Sequence, residues 1–88
     1  MPLEALLDDF DQNALLARQG YDNTDTDAVR NAARHIALQA DNFGLRALAR
    51  MARCVEDAAK AGDKDALANL LPELESFVER NRIAMRGR

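Results

Sequence analysis

Leu3, Leu6, Leu7 and Phe10 recur at spacings of three and four, which gathers them into one apolar stripe along a helix. Ala14 and Ala17 extend that stripe toward Gln19, and the polar run Asp11-Gln12-Asn13 is a candidate break that would divide it. Gly20 reads as the stop of this first helix, and residues 21–26, rich in Asp, Asn and Thr, as a polar turn. Asp25 or Thr26 is placed to cap the next helix, since a side-chain oxygen there can satisfy an orphaned backbone N–H. The second helix is expected to run to about Asn42 and to bury Val29, Ala32 or Ala33, Ile36, Ala40 and Phe43. Gly44 marks a bend.

Leu45, Leu48, Ala52, Val55 and Ala59 then form a narrow third stripe with Met51 on its edge. Gly62-Asp63 reads as a stop followed by a cap, and Leu67, Leu70, Leu71, Leu74, Phe77 and Val78 as a fourth helix. Pro72 falls inside that pattern and is expected to kink the helix or make it begin afresh near Leu71. Residues 81–88 read as a fraying tail, made basic by Arg80, Arg82, Arg86 and Arg88. Short connections between neighbouring elements imply an antiparallel up-and-down bundle of four helices in a single domain spanning residues 1–88.

Composition narrows the functional classes. Apolar residues make up 48% of the chain, chiefly Ala and Leu, which favours packed helices over sheets. A net charge of −3, without a basic run or interleaved aromatics, argues against a nucleic-acid partner. No apolar stretch reaches the roughly 20 residues of a membrane span, and the acidic N-terminal residues Glu4, Asp8 and Asp9 are unlike a secretory signal. Cys54 is the only cysteine, so no intrachain disulfide can form. A cytoplasmic setting is therefore expected. Asp22, Asp25 and Asp27 lack the central Gly and closing Glu of a calcium loop, and His35 has no second His or Cys at i+3 or i+4, so neither a metal nor a cofactor is expected.

The run from Asp25 to Gly44 resembles the signature helix of histidine-containing phosphotransfer (HPt) domains, roughly D-x-x-x-(L/V)-x-x-A-A-H-x-L-K-G-x-A-x-x-(F/I)-G. Asp25, Val29, Ala32, Ala33, Ile36, Ala40, Phe43 and Gly44 fall on their counterparts. Leu48, Met51, Val55, Glu56 and Gly62-Asp63 look like the family's third helix, and Leu70-Leu71-Pro72-Glu73-Leu74 like the start of its fourth. The likeness covers about residues 25–78. It implies a module of bacterial-type two-component signalling, in which an exposed imidazole takes a phosphoryl group from a receiver domain and passes it on.

At the reactive centre the resemblance fails. The phospho-accepting histidine is replaced by Arg34, the neighbouring lysine by Ala37 and the glycine by Leu38. A neutral imidazole offers a lone pair to phosphorus, whereas a guanidinium keeps its protons and has none to offer. Leu38, four residues after Arg34, shares its helical face. His35, the only histidine, is turned about 100° from Arg34, and a one-residue slip into the reactive position would pull Ile36, Ala40 and Phe43 from the core.

The expectation is a degenerate HPt-like module, not an enzyme, that binds a response-regulator receiver or a histidine kinase without accepting phosphate. Its expected partner surface comprises Arg34, Ala37 and Leu38 together with an arginine stripe, Arg46, Arg50 and Arg53. The alternatives are a phosphotransfer protein using His35 and an unrelated small helical adaptor. Oligomeric state is left open.

Overall fold

The computed structural model describes residues 3–86, and side-chain surroundings for residues 4–85. Those residues are all-helical: α1 (Leu3–Asp22), α2 (Thr26–Asn42), α3 (Arg46–Ala61) and α4 (Lys64–Arg86). In the resulting bundle α1 packs on α2, α2 on α3, α3 on α4, and α4 closes back on α1. The core divides its labour by size. α2 and α3 contribute mainly small side chains, among them Ala32, Ala33, Ala37, Ala40, Ala49, Ala52 and Ala59, which let their backbones approach closely. Leu6 and Phe10 of α1 and Leu67, Leu71 and Leu74 of α4 supply the bulk.

Three helix ends share one closure, in which the chain turns through a left-handed residue and two backbone N–H groups satisfy the last carbonyls. At the end of α2, Leu45 N donates to Ala40 O (2.8 Å) and Gly44 N to Asp41 O (3.1 Å). At the end of α3, Asp63 N donates to Ala58 O (3.0 Å) and Gly62 N to Ala59 O (3.1 Å). Gly44 and Gly62 hold φ of 72° and 67°, as the turns require. The end of α1 corrects the sequence reading. Gly20 is not a stop but lies buried inside the helix, which runs unbroken through Asp11-Gln12-Asn13. The left-handed residue is Thr24 (φ 60°), with Asp25 N donating to Gly20 O at 2.7 Å and Thr24 N to Tyr21 O at 3.1 Å. A β-branched residue is costly in this conformation. Thr24→Gly is therefore expected to raise the unfolding free energy by about 1 kcal/mol, seen as a higher midpoint in a urea melt.

Asp25 and Asp63 cap the next helices, accepting from Ala28 N and Ala66 N at 3.1 Å each. Phe43, expected in the core, is 48% exposed. It is the residue at which α2 ends, so the chain has already turned away, and Leu45 packs against the core instead. α4 neither stops nor restarts at Pro72. Pro72 and Ala68, whose carbonyl loses its intrahelical donor, both lie on the exposed face, where water can reach that carbonyl. α4 continues through the expected tail as far as Arg86. Arg82 is anchored there by ion pairs to Asp8 and Asp11 of α1; the last two residues of the expected tail lie outside the described ones. Farther along the same seam Arg18 grips Glu75 through two hydrogen bonds of 2.8 and 3.3 Å. That hydrogen bonding, opposed by partial burial, holds the Arg18 guanidinium above its ordinary pKa.

Candidate functional site

Two side-chain contacts fix which way each flank of α2 points. Gln39 Nε2 donates to Asp9 Oδ2 of α1 at 3.0 Å, so the Gln39 flank faces α1. Asp41 is ion-paired with Arg53 of α3, so its flank faces α3. At 3.6 residues per turn, His35 lies one turn before Gln39 on the α1 flank, and Arg34 two turns before Asp41 on the α3 flank. Leu38 stands between them, three residues from His35 and four from Arg34, and is 52% exposed.

His35 is exposed in the native register. The slip that the sequence reading demanded is thus unnecessary for solvent access; register decides only the side of the Leu38 ridge on which the imidazole emerges. There it lines an open concavity of about 320 Å³ with Asn13, Leu16, Asn31 and Ala32. Leu16 is itself 42% exposed, so the imidazole has an outward leucine on each side. No cation belongs to this lining. Arg34 is exposed on the other side of the ridge.

Ala37 must be withdrawn from the expected partner surface. It is 3% exposed, because its methyl group joins the small-residue packing of α2. The arginine stripe is also divided. Arg53 is already paired with Asp41, whereas Arg34, Arg46, Arg50 and Arg80 make no ion pair among the described residues. Arg46 and Arg50 open toward α4, lining two concavities that meet at Phe77, and Arg80 sits 5.4 Å from the centre of the Phe77 ring. Leu16 was not singled out in the sequence, and Phe77 and Arg80 were read only as a core position of the fourth helix and a basic residue of the tail. The Phe77–Arg80 spacing of three was visible as a cation–π pair, but nothing along the chain placed it beside Arg46 and Arg50.

Cys54 is a free, exposed thiol at the edge of α3. Among the described residues no three His, Cys, Asp or Glu side chains converge as a metal site, and no helix is long and apolar enough to cross a membrane. What the α2 surface offers chemically is an exposed guanidinium able to bind an oxyanion and, across the ridge, an imidazole nucleophile. A scan against protein-family models and searches of curated proteins and of solved structures found no match to this chain.

Proposed function

We propose that this chain is an HPt-like phosphorelay module that docks through α2 on a receiver domain or a histidine kinase and modulates signalling by occupancy, without accepting phosphate. The observation that carries this reading is the unpaired, exposed Arg34 beside the outward Leu38, at the positions where the HPt signature has its histidine and its glycine. A guanidinium there can hold the phosphoryl oxygens or the acidic rim of a receiver pocket, but it cannot attack phosphorus. Leu38 adds an apolar contact where the resembled family keeps open space.

The antiparallel up-and-down arrangement belongs to the same reading. Asp9 meets Gln39 and Asn13 shares a concavity with His35, so positions fall along α2 as they rise along α1. Arg82 meets Asp11 and Glu75 meets Arg18, giving the same inverse order for α4 against α1.

One observation favours a second reading, in which His35 is a phospho-acceptor: its imidazole is outward between Leu16 and Leu38. In that reaction an imidazole nitrogen attacks the phosphorus of an aspartyl phosphate, the P–O bond to the aspartate breaks and the carboxylate leaves. The absence of a cation from the His35 lining weighs against it, since phosphoryl transfer needs positive charge at the equatorial oxygens.

Incubation with a phosphorylated receiver domain separates the two. The proposal expects no acid-labile, base-stable label on this chain, together with receiver binding that falls about tenfold in Arg34→Glu. Label that appears on the wild type and vanishes in His35→Gln would transfer the function to the second reading. Binding that is insensitive to Arg34→Glu would remove the first.

A further inference from the structure

On a different face, the groove between α3 and α4 is chemically unlike the rest of the molecule. Two adjoining concavities of about 370 and 250 Å³ share Ala47 and Phe77. One is edged by Arg46 and Arg80, the other by Arg50 and Met51, and neither has a carboxylate in its lining. A third, on the outer side of α4, contains Pro72, Ser76, Phe77 and Arg80 and brings in Glu73. The chain as a whole carries a net charge of −3, yet here three guanidinium groups without ion-pair partners among the described residues surround a half-buried aromatic ring.

We infer that this groove is a docking site for an acidic amphipathic helix of a partner protein. Charge complementarity selects the sign. Arginines unmatched within a negatively charged chain attract carboxylates and would repel a basic segment. Geometry selects the form. The described residues contain no strand, so no sheet edge exists for an extended peptide to join. Recognition must come from side chains along the channel between two helices, as in helix-in-groove binding. Arg46 and Arg50 are four residues apart on α3, a rise of about 6 Å, which matches carboxylates one turn apart on a docked helix. Arg80, on α4, supplies the opposite rail, and Phe77 receives an apolar anchor at the floor. Arg46 and Arg50 were expected in the receiver-binding surface; here they belong to a groove that contains none of Arg34, Leu38 or His35, and the Arg34→Glu variant tells the two surfaces apart.

The test uses a fluorescein-labelled peptide of about 15 residues, long enough for several helical turns, with Leu at i and i+4 flanked by Glu. A second peptide has Lys in place of every Glu. Fluorescence anisotropy with the full chain at low salt is expected to show binding of the acidic peptide only, weakened by added salt. The double variant Arg50→Glu/Arg80→Glu, at two exposed positions and checked for helix content by circular dichroism, is expected to lower that affinity at least about tenfold. Arg34→Glu should leave it unchanged. Amide shifts in an NMR titration should cluster around Phe77, Arg46 and Arg80. Equal binding of the lysine peptide, no binding of the acidic one, or indifference to the double variant would overturn the assignment. So would self-association in sedimentation that disappears in the double variant, which would make a second copy the occupant.

Discussion

Phe10→Ala is expected to lower the unfolding free energy by about 3–5 kcal/mol, measured by urea or thermal melting. Phe10 is 0% exposed and the largest of the fully buried side chains. Removing the ring withdraws its transfer free energy and leaves a cavity that the packed helices only partly close, because the surrounding core side chains relax incompletely. A chain of 88 residues has a total stability of roughly 5–10 kcal/mol, so the variant should lose about half of it and unfold at a markedly lower urea concentration or temperature. Truncating Leu38, which is outward, should change stability by no more than about 0.5 kcal/mol. If Phe10→Ala melted alongside Leu38→Ala, the placement of α1 against the other helices would be wrong.

The second large effect concerns Gly20, where general helix propensity gives the wrong sign. An alanine in place of an interior helical glycine ordinarily stabilises by about 0.5–1 kcal/mol. At Gly20 an added Cβ would lie 3.0 Å from the Ala28 Cβ, 3.0 Å from the Asp25 carbonyl oxygen and 3.1 Å from Val29 Cγ2. None of these is the free end of a long side chain. Ala28 and Val29 belong to the first turn of α2, and Asp25 both caps that helix and donates its N–H to the Gly20 carbonyl. Relieving the overlap would disturb the cap, the α1 closure and the α1–α2 contact together. Overpacking of this kind costs about 1–3 kcal/mol. Gly20→Ala is expected to be destabilised by about 1 kcal/mol net and Gly20→Leu to fold poorly or not at all. Gly62→Ala provides the contrast: nothing lies within 4 Å of its added Cβ, and only its φ of 67° opposes the change. A melt in which Gly20→Ala equalled or exceeded wild type would show that α2 can withdraw without loss.

The difference between these two glycines also measures what could be read along the chain. Gly62 and Gly44 were legible as helix ends because each is followed by a polar or apolar residue in the right register and interrupts an apolar stripe. Gly20 looked the same, and only the approach of α2 reveals that it is there for want of a side chain. The stop was displaced to Thr24, a residue whose propensity gives no hint of a left-handed backbone. Pro72 was misleading for a related reason. Its ring and missing N–H argue locally for a restart, and the helix continues because that flank faces water.

The candidate surfaces divide in the same way. Helical periodicity alone determined that Arg34 and Leu38 share a face, that His35 is turned away from Arg34, and that Val29, Ile36, Leu48, Val55 and Leu74 form a core. These are consequences of a 3.6-residue repeat, which depends only on chain geometry. Tertiary structure decided that Ala37 is sealed in the packing, that Arg53 is spent on Asp41, that His35 opens beside Leu16, and that Arg46 and Arg50 gather around Phe77 and Arg80. Each of those depends on which helix stands next to which flank. A side chain's neighbours across a helix boundary are set by the packing of large residues on α1 and α4 against small ones on α2 and α3, and no spacing along a single helix encodes that choice.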